Sequence, residues 1–237
     1  MKKKLIILTG PTAVGKTDLS IRLARTVGGE IISADSMQVY RRMDIGTAKI
    51  RPEEMDGVRH HLIDILEPTE SFNAFLFKEY ALKAANEIWE RGSIPIIVGG
   101  TGFYIQTLLY DIEFAKSDEN DGIRDELNKL YEEHGAAFLH DMLAKVDPEY
   151  AAEVHENNVK KVIRAIEFYR QTGHKLSEHN TEQRERTSPY NFEYFVLSDD
   201  RTVLYERIDK RIDKMVEAGL IAEVQALLDE GVDRESV

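Results

Sequence analysis

Residues 10–17 read G-P-T-A-V-G-K-T: Gly10, Pro11, Thr12, Ala13, Val14, Gly15, Lys16 and Thr17. The apolar run Leu5-Ile6-Ile7-Leu8 precedes them, and from Asp18 onward the pattern is helical. Strand, glycine-flanked loop and helix in that order are the context a phosphate-binding loop requires. Backbone N–H groups of the loop wrap phosphate oxygens, helped by the positive end of the helix. Lys16 supplies a point charge to the outer phosphate, and the Thr17 hydroxyl ligates Mg²⁺. The ligand class is thereby a di- or triphosphate. The competing reading is an ordinary glycine turn, which requires neither the strand nor the helix.

Further along the chain, Gly28-Gly29 ends the first helix, whose Leu19 and Leu23 share a face. Glu30–Asp35 (E-I-I-S-A-D) predicts a second strand ending in an acid, and His60–Ile65 (H-H-L-I-D-I) another short apolar run. Ser71 is expected to cap a helix on which Phe72, Phe75, Leu76, Leu82 and Trp89 fall near helical spacing, with Gly92 as its stop. Ile94–Val98 is a compact buried strand with Pro95 near its start. Lys116–Gly122 (K-S-D-E-N-D-G) is a polar break. From there to about Pro189 the periodicity is helical, with one stripe of Ile123, Leu127 and Leu130 and another of Val159, Val162, Ile163 and Ile166. Asp147-Pro148 marks a turn before a helix. Phe192–Leu197 (F-E-Y-F-V-L) reads as a buried strand, and helices over Leu204–Ala218 and Leu220–Leu228 follow, punctuated by Gly219 and Gly231. The expected fold is α/β: a P-loop NTPase-like parallel sheet with helices on both faces, interrupted by an all-helical insertion. Residues 1–112 and 190–237 form the core, and 113–189 the insertion.

The 237 residues suffice for one or two domains, and no apolar run has the length of a membrane span. The basic start Met1-Lys2-Lys3-Lys4 leads into a run too short for a signal peptide. There is no cysteine, which excludes disulfides, thiolate metal sites and a Cys nucleophile and fits a reducing cytoplasm. A net charge of −12 argues against indiscriminate nucleic-acid binding. Locally the balance reverses: Val159–Arg186 carries seven Lys/Arg against four Glu. Lys160 and Arg164 lie one turn apart, opposite the apolar stripe. Such a face tracks nucleic-acid phosphates or is simply solvated. With no oligomerisation signal, a monomer is the default expectation.

The strand Ile94–Val98 is followed by Gly99-Gly100-Thr101-Gly102 rather than a Mg²⁺-binding Asp, and no Asn-Lys-x-Asp motif occurs. The chain therefore reads as a transferase holding a phosphorylated donor, not as a GTPase or motor ATPase. In an open α/β sheet, ligands sit beyond the carboxyl ends of the strands. Asp35 lies there and is the candidate general base; a helix cap or an outer Mg²⁺ ligand is the alternative. Thr101 could donate to a bridging oxygen of the leaving group, or merely lead a glycine turn into a helix. Arg207 and Arg211 share a helix face and could clamp a diphosphate, although Glu206, Asp209 and Asp213 also suit a solvated, salt-bridged helix. His60 and His61 point to opposite faces of a strand and have no third ligand at metal spacing, so structural or substrate-contact roles are preferred.

Five segments together resemble the tRNA dimethylallyltransferase (tRNA isopentenyltransferase) family: 10–17, D-S-M-Q-V-Y-R-R-M-D-I-G-T-A-K at 35–49, H-H-L-I-D-I at 60–65, V-G-G-T-G-F-Y-I at 98–105 and N-N-V-K-K-V-I-R-A-I-E at 157–167. The resemblance spans nearly the whole chain, and its 35–49 and 98–105 blocks are more specific than the phosphate loop. It implies transfer of a dimethylallyl group from dimethylallyl diphosphate to N6 of the adenosine just 3′ of the anticodon, at tRNA position 37, with Mg²⁺ assisting and pyrophosphate leaving. By that resemblance the loop, with Lys16, holds the prenyl diphosphate rather than ATP. Asp35 takes the proton from the adenine amine, Thr101 contacts the bridging oxygen, and Arg207 or Arg211 supports the diphosphate. Asp35, Ser36, Met37, Gln38 and Thr101 contact the target region of the tRNA. Val159, Lys160, Lys161, Val162 and Ile163 do so from the insertion, which grips the anticodon stem, with Arg124 a further contact. The target base is flipped out of its stack to reach Asp35. Two departures stand out. Arg42 occupies a place where family members often carry Gly. The chain stops at Val237, where the family usually continues with another basic and aromatic helical segment, so a C-terminal truncation is expected.

The main alternative is a phosphate-loop kinase using ATP, with Asp35 on an acceptor hydroxyl. An adenylate isopentenyltransferase would prenylate a free nucleotide; the long insertion with its basic face favours a polynucleotide. A noncatalytic RNA-binding protein with a vestigial loop is disfavoured by intact Lys16, Thr17, Asp35 and Thr101.

Overall fold

The computed structural model describes residues 2–112 and 122–233. The predicted break at Lys116–Gly122 lies, apart from Gly122, outside them. Packing divides the chain into two units, Met1–Asp111 with Ser188–Val237, and Ile112–Thr187. No helix among the described residues is long and apolar enough to cross a membrane.

The first unit is built on β1 (Lys4–Thr9), β2 (Gly29–Ser33), β3 (His60–His61), β4 (Ile94–Gly99) and β5 (Asn191–Val196), in the order β3-β2-β4-β1-β5 with every pair parallel. Between them run α1 (Lys16–Val27), α2 (Ala74–Glu90) and α3 (Gly102–Leu109), with α8 (Arg201–Glu217) and α9 (Leu220–Asp229) closing the unit. Central parallel strands are covered on both faces and so read as continuous apolar runs. Ile31 and Ile96 face α1, packing with Ala24, Ile21 and Val27. One residue on, Ile32 and Ile97 are fully buried on the other face, where α2 packs on β2 and β4. The fold class is as expected, an α/β parallel sheet.

Three local expectations need correction. Ser71 does not cap α2; Asn73 does, its side chain accepting from the Leu76 N–H at 3.0 Å. The apolar run after His60 supports only two residues of strand, because Leu62 and Asp64 take left-handed backbone and turn the chain away. The strand at 191–196 is not buried. It forms the sheet edge, pairs only with β1 among the described residues, and leaves Phe195 48% and Val196 66% exposed. An apolar run identifies a strand but does not say whether it sits at the centre or the edge of a sheet.

The 40–50 segment is fastened by Lys49, whose side chain is only 4% exposed. Its Nζ donates to the Tyr40 carbonyl, Asp44 Oδ1 and Asp64 Oδ1, each at 2.6 Å. Lys49→Met keeps the buried stem and removes the ammonium. It is expected to destabilise the protein by about 1–3 kcal/mol, the range for lost charged hydrogen bonds. The larger cost of stranding a buried charge does not apply, because Asp44 and Asp64 are half exposed and rehydrate. The midpoint of urea unfolding reads this directly; an unchanged midpoint would contradict it.

The second unit holds α4 (Ile123–Val146), α5 (Pro148–Glu153), α6 (Val159–Thr172) and α7 (Leu176–Glu185). Gly135, at φ 83° and ψ 178°, breaks α4 into two pieces. Leu127, Leu139 and Leu143 pack against Val162, Ile163 and Ile166, with Ile123, Leu130 and Val159 at the margin, so both predicted stripes meet in one core. Buried Asp147 caps α5, accepting from Tyr150 N–H at 3.1 Å, and takes Ser177 N–H and Oγ at 2.9 and 2.7 Å. Burial pushes its carboxyl upward, but the Ser177 and Tyr150 hydrogen bonds and Lys175 outweigh it, and the net shift is downward.

Candidate functional site

All five strands being parallel, their carboxyl ends share one edge of the sheet, and the loops leaving β1, β2, β4 and β5 gather there. Close backbone packing fixes their spacing. Gly10, at φ 151°, has room for no side chain, since a Cβ would lie 2.5 Å from the Leu197 carbonyl oxygen. Leu197 N–H in turn donates to the Thr9 carbonyl at 2.8 Å, tying the end of β5 to the start of the loop. Gly99 presses against Ala34 at the end of β2, where a Cβ would collide with backbone, and Ala34 N–H donates to the Val98 carbonyl at 2.8 Å. These contacts bring Asp35, Thr101 and the 10–17 loop to one edge.

The loop turns through left-handed backbone at Ala13 (φ 64°) and Gly15 (φ 93°). Gly15 begins α1 without any side-chain cap, so the first N–H groups of the helix remain available to an anion. Pro11, Thr12 and Thr17 are exposed and Val14 is half-buried. Lys16 folds back over the loop, its Nζ donating to the Gly10 and Pro11 carbonyls, each at 2.8 Å. Burial lowers the Lys16 pKa; the negative charge of Asp35 opposes this and the positive charge of Arg211 adds to it.

Asp35 Oδ1 accepts from the N–H groups of Met37 (2.9 Å) and Gln38 (3.3 Å), a turn that fixes the carboxylate's orientation. Ser36 and Met37 are half-buried within that turn. The Gln38 side chain is held at both ends. Its Oε1 accepts from Ser33 Oγ at 3.3 Å, and its Nε2 donates to the Thr47 and Ala48 carbonyls at 3.2 and 3.5 Å. Thr101 stands at the head of α3 but its hydroxyl makes no capping hydrogen bond. The helix is set by the Phe77–Tyr104 ring stack, 4.9 Å between centroids.

From α8, Arg207 reaches the loop, its Nη1 3.5 Å from the Ala13 carbonyl and 2.9 Å from Asp199 Oδ2. Two of that helix's three arginines therefore bear on the phosphate loop, Arg207 through contact and Arg211 through its charge on Lys16. Asp199 was not singled out from sequence, although it follows a strand's carboxyl end as Asp35 does. Arg42 has φ 62°, the left-handed backbone that glycine adopts without strain. It is paired with Glu67 at 2.8 Å and Glu230 at 3.4 Å. His61 pairs with Glu30 at 2.8 Å, and His60 Nδ1 lies 2.9 Å from the Val58 carbonyl; both are structural contacts. Among the described residues no group of three or more His, Asp or Glu side chains forms a cation cage. A Mg²⁺ held by one hydroxyl and substrate phosphates needs none, and exposed Thr17 at the head of α1 fits that mode.

In the helical unit Lys160 and Lys161 are exposed on α6, and Val159 is half-buried. Val162 and Ile163 are buried in the core of this unit. Arg124 pairs with buried Glu167 at 2.6 Å, with Arg164 at 4.0 Å from the same carboxylate.

The sequence profile of the IPP transferase family matches residues 38–237, beginning downstream of the phosphate loop, which is thus an independent observation. A tRNA dimethylallyltransferase of Lachnoclostridium phytofermentans is 58% identical over 233 residues, covering 98% of this chain and 74% of the relative. One from Halalkalibacterium halodurans is 48% identical, covering 100% and 76%. Among solved structures, the full-length tRNA isopentenylpyrophosphate transferase of Bacillus halodurans matches with TM-score 0.68 and 47% identity over 100% of this chain and 74% of its own. A eukaryotic dimethylallyltransferase captured acting on tRNA matches with TM-score 0.87 and 36% identity over 96% of this chain and 56% of its own.

Proposed function

This chain belongs to the IPP transferase family, and from that premise we propose that it transfers a dimethylallyl group from dimethylallyl diphosphate to N6 of adenosine 37, next to the anticodon in tRNA, releasing pyrophosphate. One observation carries the reading: a phosphate loop with an uncapped helix start shares a sheet edge with a carboxylate held by its own turn and a threonine hydroxyl that caps nothing.

The diphosphate lies in the 10–17 loop. Lys16 exchanges its two loop carbonyls for phosphate oxygens, and Arg207 and Arg211 approach from α8. Thr17, together with the phosphates, would hold Mg²⁺, which would supply charge neutralisation to the leaving group. Thr101 donates to the bridging oxygen as the bond from the dimethylallyl C1 to that oxygen breaks. The adenine N6 forms the new bond to C1, and Asp35 accepts its proton. No attacking water has to be positioned in this reaction.

The helical unit holds the anticodon stem-loop through the exposed face of α6. Replacing both Lys160 and Lys161 with Ala is expected to weaken stem-loop binding and to flatten its dependence on log salt by roughly 1.5 units, two phosphate contacts' worth. Donor affinity should be unchanged. An unaltered salt slope would remove these lysines from the interface.

The donor assignment is tested by competition. Bound dimethylallyl diphosphate should withstand a tenfold excess of ATP. Displacement by equimolar ATP, with consumption of its γ-phosphate, would indicate a kinase instead.

A further inference from the structure

The loop 43–48 is fastened from a distant part of the chain. Glu223 on α9 places both carboxylate oxygens on three successive backbone N–H groups: Oε2 accepts from Asp44 and Ile45, each at 2.8 Å, and Oε1 from Gly46 at 2.9 Å. Gly46 lies close against α9. A Cβ there would lie 3.1 Å from Leu220 Cδ1 and 3.5 Å from Glu223 Oε1. At the start of α9, Gly219 sits against Ile45, and at its end Glu230 reaches Arg42 at 3.4 Å.

What the clamp holds matters more than its strength. The segment it grips closes on itself through Ala48 N–H to the Ile45 carbonyl and Lys49 N–H to the Asp44 carbonyl, both at 2.9 Å. That closure sets the carbonyls of Thr47 and Ala48, which receive the Gln38 amide. Gln38 N–H in turn donates to Asp35 Oδ1. A continuous line of hydrogen bonds thus runs from Glu223 through 44–48 and Gln38 to Asp35. The phosphate loop has no part in this line.

We propose that Glu223 is a positioning residue for the transfer step: its carboxylate, bound by the 44–46 N–H groups, sets Gln38 and through it the orientation of Asp35 toward the acceptor adenine, without influencing the donor site. The inference rests on the reading of Asp35 given above. A carboxylate is required because all three partners are donors. An amide has only one accepting oxygen, and its NH₂ would face a third N–H. Aspartate is a methylene too short to span both sides.

The test compares Glu223→Gln and Glu223→Ala with the wild type. Amide hydrogen exchange at Met37 and Gln38 should accelerate at least about tenfold as the turn loosens, while exchange within 10–17 stays unchanged. In single-turnover transfer to an anticodon stem-loop, the rate constant should fall about 10–100-fold, the scale of an ångström's misplacement. The donor Kd should hold within about twofold. Combining Glu223→Gln with Gln38→Ala should cost no more than the larger single loss, since both act on one line. Unchanged exchange at 37 and 38 would overturn the proposal whatever the activity, and so would additive losses in the double variant. Accelerated exchange at 37 and 38 with a transfer rate constant equal to the wild type's would leave the linkage standing and refute the role assigned to Asp35.

Discussion

Replacing Asp35 by Asn should slow transfer about 10²–10⁴-fold, the usual worth of a positioned general base. Asn keeps the Oδ1 oxygen that accepts from Met37 and Gln38, so the turn survives and only proton acceptance is lost. Asp35→Ala removes both and should abolish measurable transfer. Donor affinity should stay within a few-fold in either case. Asp35 opposes the burial-driven lowering of the Lys16 pKa, so its removal shifts that pKa further down, while an incoming diphosphate shifts it back up. Single-turnover rates with donor pre-bound, beside calorimetric donor titrations, separate the two quantities. Turnover unchanged in Asp35→Asn would end its assignment as base.

Lys16→Ala should do the opposite, weakening the donor first. The ammonium lies over the loop, half-buried and held only by two carbonyls, so it meets the diphosphate with little reorganisation. Its loss should lower kcat/KM by about 10²–10³-fold, as for a single preorganised donor at a developing charge, with much of the loss appearing as donor Kd. Lys16→Arg should not restore it, because a planar guanidinium cannot replace a compact ammonium within an eight-residue loop. The two variants thus make a crossed pair: rate without affinity for Asp35, affinity with rate for Lys16. Equal donor affinity in Lys16→Ala and wild type would place the diphosphate elsewhere.

The contrast between what sequence reveals and what it hides is physical. The phosphate loop is contiguous, and its strand and helix lie either side of it, so eight residues and their flanks suffice. Asp35 follows from a rule about strand ends. Asp199 stands three residues past the end of a strand, and its role shows only through its ion pair with Arg207, eight residues further on. Glu223 was invisible because its partners are backbone N–H groups 177 to 179 residues away and leave no side-chain signature. Lys49 stood inside a family-specific block, but a lysine reads as solvated unless its burial is known. Val162 and Ile163 belong to the apolar stripe, and their side chains are buried in the helical core. Arg42 holds left-handed backbone and pairs with Glu67 and Glu230, neither of which its place in the sequence announces.

The most direct measurement is transfer of label from dimethylallyl diphosphate, with Mg²⁺, to an unmodified anticodon stem-loop carrying adenosine 3′ of the anticodon. AMP and a loop with guanosine at that place serve as parallel acceptors. Label on the adenosine stem-loop alone is the expected result. Label on AMP, or on the guanosine loop as readily as on the adenosine loop, would contradict it.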